Sequence, residues 1–302
     1  MIHIIITSYK EPKATLRAVK AFLNQKISED FMIIVVDPFE ETKEFLKQNL
    51  KDKRVGFFLD PGEGKSHAIN LLLKQIYSDN TNDILIFTDG DVYVSGNAVQ
   101  DLLNRFKDKT IGCVTGKPVS LAERGTKYGY WSKLLYAGVD RARKRMAKGK
   151  EFFQVTGYLF AIRNGIFKEI PIDVADDAIM PFYAWQKGCK IDYAEQAEVY
   201  VKYPDNWKDW VNQRVRTIKG HKNTSKLYPG MPEKHSLFRE LKEGALFAVT
   251  FPKSFMEFIW TIELAFARFY IYYKSAREQK KSETAYDPGW RDVEIESAKP
   301  LD

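Results

Sequence analysis

The sequence predicts an α/β protein: a Rossmann-like, mostly parallel central sheet flanked by helices, followed by a helical apolar segment. Apolar runs of strand length recur up to residue 116, amphipathic stretches separate them, and a dense apolar and aromatic stretch fills 237–275. Unbroken apolar strands alternating with helices are the pattern of a parallel sheet covered on both faces.

Strands are expected at 2–7, 31–37, 55–60, 84–89 and 111–116, with helices at 12–26, 40–50, 66–77 and 96–107. After residue 116 the rhythm breaks. Residues 120–150 are mixed and carry the basic run RARKRMAKGK at 141–150, and 152–162 reads as a strand. Residues 174–188 read as a helix opening on two acids, 190–204 as strands, and 206–220 as a helix stopping at Gly220. The expected organisation is a catalytic domain at 1–235, an apolar helical segment at 236–275 and a polar tail at 276–302.

The formal net charge of +7 and a pI near 9.0 favour acidic partners. Cys113 and Cys189 are the only cysteines, which excludes a disulfide framework or a cysteine metal cluster. The opening MIHIIITSY lacks a basic n-region and a small-residue cleavage site, so no signal peptide is expected.

In open α/β sheets, ligands bind beyond the carboxyl ends of the strands, and Asp37, Asp60, Asp89 and Asp91 fall at such ends. Asp89-Gly90-Asp91 sets two carboxylates around a glycine turn, a pattern able to hold Mg²⁺ or Mn²⁺ whose shell substrate phosphates complete. The plain alternative is an acidic surface turn. The stretch DPGEGKSHAIN at 60–70 fails as a P-loop because position 59 is Leu59, and fails as a dinucleotide fingerprint because position 67 is His67. It leaves Lys65 at a helix start as a phosphate contact or as an ordinary solvated lysine. Asp176 and Asp177 open a helix, where acids are favourable in any case; the functional alternative is a general base. In QRVRT at 213–217, Gln213 and Arg216 share a helical face and Arg214 does not.

The order and spacing of these segments over 1–220 resemble the family 2 glycosyltransferases with the GT-A fold, the group that includes cellulose and hyaluronan synthases. The resemblance implies that Thr7, Tyr9 and Glu11 contact the nucleotide, that Asp37 serves the nucleoside, and that GKSHAIN is the G-K-x-x-A-x-N segment. Asp89 and Asp91 then form the D-x-D metal motif, TGYLFAIRNGIF lies under the acceptor, and ADD replaces T-E-D with Asp177 as base beside Asp176. Gln213 and Arg216 match Q-x-x-R-W, and Arg216 and Lys65 add charge on the phosphate side. The chain departs at Pro38, at Ala175-Asp176 and at Thr217, which replaces the tryptophan of the polymer path and weakens any expectation of processive synthesis. The implied reaction is inverting transfer from a nucleotide-sugar, with UDP favoured, to a lipid-linked or glycan acceptor, with no nucleic-acid partner. Two alternatives stay open: a sugar-1-phosphate nucleotidyltransferase, which needs a glycine-rich loop that TSYKEP lacks, and a silent carbohydrate- or lipid-binding relative.

In the C-terminal segment, Pro252 divides 245–277, and the piece 254–273 approaches the length of a membrane span. Glu257, Glu263 and Arg268 are costly at a bilayer centre. Ser254, Glu257, Thr261 and Arg268 fall near one face, which favours a helix lying on a membrane surface or packed on a partner over a membrane span, with a core contact as the plain alternative. A peripheral place on the cytoplasmic face of a membrane is therefore expected.

Overall fold

The computed structural model describes residues 1–172, 174–232 and 237–281. Strands β1 (Ile2–Thr7), β2 (Phe31–Asp37), β3 (Val55–Leu59) and β4 (Ile84–Asp89) alternate with helices α1 (Pro12–Leu23), α2 (Glu40–Asn49) and α3 (Lys65–Ile76). They pair in parallel, as the apolar runs predict. β5 (Tyr93–Val94), α4 (Ala98–Arg105), β6 (Ile111–Ser120), α5 (Lys127–Lys148), β7 (Leu159–Arg163), α6 (Asp176–Gln186) and β8 (Lys190–Val201) follow. The sheet order is β3-β2-β1-β4-β7-β6-β8-β5.

β7 runs antiparallel between β4 and β6, so the sheet is mixed. This reversal matters for the site. Leu159, at the start of β7, pairs with Thr88 at the end of β4, so the segment entering β7 reaches the edge where Asp89 stands. Each face of the sheet buries its own apolar layer, one beneath α1 and α4 and the other beneath α3 and α6.

The structure differs from the sequence expectation in four places. Residues 152–158 leave the sheet: the Val155 amide bonds to the Asp177 carbonyl at 3.3 Å and the Thr156 amide to Thr115 Oγ1 at 3.0 Å. Phe152, Phe153 and Val155 fill the core beneath α6 rather than a strand face. The mixed region 120–150 contains one helix of 22 residues, α5, whose N-cap Thr126 accepts the Gly129 amide. Of residues 190–204, Lys190–Val201 form one strand, β8, which pairs with β6 through two register shifts.

Fourth, α7 (Trp207–Leu227) runs through Gly220 rather than stopping there. The extra turns carry Thr224, which accepts the Ala175 amide at 3.2 Å and so ties down the entry to α6.

Helices α8 (Leu237–Thr250) and α9 (Phe255–Lys281) part at Pro252 as expected. α9 packs against α5 and α7 around Trp131, Trp210, Leu264 and Ile271. Glu257 and Thr261 of α9 face the protein, whereas Glu263 is exposed. Arg124 donates two bonds to the Glu257 carboxylate, at 2.8 and 2.9 Å, and Tyr130 meets Thr261 Oγ1 at 2.5 Å. Large apolar side chains instead face outward, including Phe255 (79% exposed), Phe266 (71%) and Tyr273 (64%). Among the described residues no helix is long and apolar enough to cross a membrane. The expected boundary at 235/236 and most of the polar tail, 282–302, lie outside the described residues.

Candidate active site

The strands of the parallel half end level: Thr7 pairs with both Val36 and Asp89. The turn after β4 folds back on β1, with the Gly90 amide donating to the Thr7 carbonyl at 2.8 Å. A Cβ at Gly90 would lie 2.6 Å from that of Ser8, so only glycine allows the two aspartates to flank this contact. Thr7 Oγ1 donates to Asp89 Oδ1 at 3.3 Å. Tyr9 packs edge-on to Phe39, and Glu11 caps the approach to α1 close enough for its charge to act on Asp91. Burial first, then Asp89 and Glu11, push the Asp91 carboxyl up to about 7.

Asp37 is placed differently from its expected role. It is fully buried and is not part of the cavity lining. Its carboxylate accepts the Ser8 hydroxyl, the Lys10 amide at 3.1 Å and the Phe39 amide at 2.8 Å, so it organises the loop bearing Tyr9 and Glu11.

Lys65 opens α3 behind Gly64, whose φ of +113° suits glycine. Its Nζ lies 2.9 Å from Asp89 Oδ1 and 3.1 Å from Asp176 Oδ2. Burial alone would lower this ammonium; Asp176 and Asp89 together outweigh it and raise the pKa. Lys65 therefore joins the carboxylates of two distant segments, a role beyond the phosphate contact expected of it. Asp177 lies against the 155–157 segment, where a Cβ on Gly157 would come 3.6 Å from its Oδ2. Burial first, then Asp176, push the Asp177 carboxyl up to about 7, against the opposing charges of Lys65 and Arg143.

These groups line one cavity of about 1660 Å³, which continues from the acids to α5, α7, α8 and α9. Thr7, Tyr9, Glu11, Lys65, Asp89, Asp91, Asp176, Asp177, Gln213 and Arg216 all line it, so of the expected site residues only Asp37 stands apart. Arg214 lines it too, despite its expected place on another helical face. Its guanidinium lies 5.2 Å from the Tyr203 ring and donates to Gln213 Oε1 at 3.0 Å.

Arg143, Tyr158 and His221 are lining residues that the sequence did not single out. Arg143 had a signal. Leu135, Val139, Arg143 and Met146 fall at helical spacing of four, four and three, so a basic residue sits on an apolar stripe within the basic run 141–150, which as a sequence suits an anionic membrane or a diphosphate-linked acceptor as well as a solvated face.

The acids fit a hard divalent cation. Asp91 Oδ1 is buried without a hydrogen-bond partner, and its raised pKa marks a site short of positive charge. Two carboxylates suffice when phosphates complete the shell. Among the described residues no cluster of three His, Cys, Asp or Glu forms a closed protein cage.

The fold is shared with solved transferases. A mannosyltransferase from Pyrobaculum calidifontis, solved with GDP-Man and Mn²⁺, superposes with a TM-score of 0.55 at 14% identity, over 93% of this chain and 78% of that one. Hyaluronan synthase from Streptococcus pyogenes is 24% identical over 185 residues, 52% of this chain and 42% of the synthase, so the match spans less than half of that relative's length. The family model described as glycosyltransferase like family 2 matches residues 2–220, nearly the whole sheet and its acid cluster, and the chain belongs to that family.

Proposed function

We propose that this glycosyltransferase moves a sugar from a nucleotide-sugar, a UDP-sugar in preference to a GDP-sugar, to a hydroxyl of a lipid-linked or glycan acceptor, with inversion at the anomeric carbon. The observation that carries the reading is the bridge of Lys65 between Asp89 and Asp176, with Asp91 and Asp177 in the same cavity. It joins a strand-end acid pair suited to a diphosphate to a buried acid suited to proton transfer. Asp89 and Asp91 would hold Mg²⁺ or Mn²⁺, which when bound neutralises the donor diphosphate as charge gathers on the leaving nucleotide. The Mn²⁺ bound by the mannosyltransferase neighbour supports that assignment.

The remaining work falls to the chain's own groups. Thr7, Tyr9 and Glu11 border the nucleotide end, on a loop held by Asp37. Gln213 fixes Arg214, and Arg214 and Arg216 bring positive charge to the cavity from α7. Asp177 takes the proton of the acceptor hydroxyl as its oxygen bonds to the anomeric carbon and the bond to the diphosphate oxygen breaks. A carboxyl titrating near 7 is a stronger base than an exposed aspartate and is still largely ionised above that pH.

The outward ridge of α9 supports a peripheral place on the cytoplasmic face of a membrane, since an apolar ridge this exposed needs a cover. The test of the reaction is nucleotide release from UDP-glucose, UDP-N-acetylglucosamine and GDP-mannose, with and without Mn²⁺. Mn²⁺-dependent UDP release is expected, and no nucleotide release from any donor sinks the proposal.

A further inference from the structure

The cavity has a second polar station that the transfer chemistry does not use. Arg143, on α5, is 8% exposed and lines the cavity. Its Nη1 has no hydrogen-bond partner, and its Nη2 reaches only the Gln154 carbonyl, at 3.5 Å. Among the described residues no carboxylate forms an ion pair with it, and burial lowers its pKa. A buried guanidinium left this way is costly unless an anion completes it. Gln154, which Arg143 reaches, is followed by Val155, whose amide bonds to the Asp177 carbonyl at 3.3 Å, which sets the station on the base's side of the cavity.

Beyond Arg143 the walls turn apolar. Leu135 and Gly138 on α5 face Phe247 and Ala248 on α8, and Ile262 and Ala265 on α9 close the side. Gly138 lies inside a helix, where glycine is disfavoured relative to alanine. Its missing side chain opens the gap, since a Cβ there would point at Phe247, 4.0 Å away.

We propose that Arg143 binds a phosphate of the acceptor and that the α5/α8/α9 groove holds the hydrocarbon attached to it, so that the acceptor is an anionic, phosphate-bearing lipid. This rests on the transferase reading above. It commits to an amphiphile because the unpaired cation and the apolar groove are continuous with one another and with Asp177.

The test is calorimetry on the full chain with dodecyl phosphate, dodecyl maltoside and inorganic phosphate as probes. Dodecyl phosphate should bind more tightly than either of the others. Arg143→Met and Gly138→Leu should each weaken it about tenfold, the scale of one charge-assisted contact or a blocked groove. Arg143→Met should leave dodecyl maltoside binding unchanged, and Phe266→Ser, on the outer ridge, should leave dodecyl phosphate binding unchanged. Melting curves identify a misfolded variant, and the two groove variants test the site independently. Wild-type affinity in both, equal affinity for inorganic phosphate, or loss on Phe266→Ser alone overturns the inference. UDP binding with Mn²⁺, measured in parallel, separates the two readings. Intact UDP binding without dodecyl phosphate affinity overturns this inference alone. Dodecyl phosphate binding with no UDP binding overturns the transferase reading and the acceptor role with it.

Discussion

The two ends of the cavity are built by opposite means. At the sheet edge, short side chains on strand ends do the work: Thr7, Asp89 and Asp91 are held by strand register and by one glycine contact. At the helical end, long side chains on α5 and α7 reach inward, and Arg143 and Arg214 are positioned by packing against aromatic and apolar neighbours. The first end collects negative charge and the second positive charge. Rigid backbone can hold carboxylates where burial first, and then neighbouring acids, raise the Asp91 and Asp177 pKa values. A helical layer can supply long basic side chains and an apolar groove.

The largest effect should come from the sheet edge. Asp91→Ala should lower kcat/KM by about a thousandfold, the scale of losing a principal charge stabiliser, and should abolish Mn²⁺-dependent UDP affinity in calorimetry. Melting temperature should not fall, because the substitution removes a buried carboxyl with an unpartnered oxygen. Unchanged Mn²⁺-dependent UDP affinity would remove the metal from the sheet end and break the division of labour.

Asp177→Asn tests the join between the two ends. It should lower kcat by about a hundredfold to a thousandfold, with UDP affinity unchanged, because the proton moves only when the acceptor attacks. Wild-type turnover should rise with pH through about 7, as the base ionises. Stability moves the other way. The folded pKa lies above the unfolded value, so the contribution of this group is full below about 4 and is lost as pH rises through about 7. At pH 8 the asparagine variant should therefore be more stable than wild type by ~2 kcal/mol, discounted for coupling within the pair. An inactive Asp176→Asn beside an active Asp177→Asn would reassign the base.

The same contrast explains what the sequence could reveal. The sheet edge was legible because strand, turn and acid are neighbours in the chain: ILIFTDGD at 84–91 states its own geometry. The Lys65 bridge was not legible, since Asp89 and Asp176 come together only through the reversed strand β7. Residues 152–158 read as a strand because their apolar pattern fits a core, and the pattern cannot tell which backbone partners they take. Helical periodicity placed Arg214 away from the site, but the cavity wraps far enough around α7 to include Gln213, Arg214 and Arg216 together. In α9 the shared face of Glu257 and Thr261 is visible in the sequence, but its partners Arg124 and Tyr130 lie more than a hundred residues earlier and are not.

Arg124→Ala tests whether the helical end depends on that face. Arg124 also bonds to the Phe251 carbonyl at 3.0 Å and lies 4.4 Å from the Phe251 ring. Its loss leaves the inward Glu257 carboxylate with only the Lys253 amide among these bonds and should cost ~2 kcal/mol of stability, as for a charged hydrogen bond. Hydrogen exchange should speed up in α9 and not in β1 or β4. The Arg124 bonds hold the Glu257 carboxyl down at about 2, so this stabilisation is full above about 4.5 and fades as pH falls towards 2. Uniform exchange changes across the sheet and α9 would show that the two ends unfold as one unit.

The smallest effect concerns the outer ridge of α9. Phe255, Phe266 and Tyr273 point away from the protein, and Lys253 begins the same helical approach. Aromatic rings beside basic side chains suit the headgroup boundary, where rings are half-buried and charges reach water. The full chain should float with vesicles containing anionic lipid. Raising salt from low to physiological strength should weaken that binding several-fold, since the Debye length shrinks to about 8 Å. Phe266→Ser should reduce it by about threefold to tenfold, as expected for one aromatic side chain withdrawn from the interface. The variant is a better probe than truncation before α9, which would uncover Trp131 and Trp210 and unsettle the packing of α5 against α7. Catalysis with a soluble acceptor should be unchanged in Phe266→Ser, because the ring lies outside the cavity lining. Equal flotation of variant and wild type would assign this ridge to another cover, such as a second copy of the chain, and would confine the lipid contact of the helical end to the groove behind Arg143.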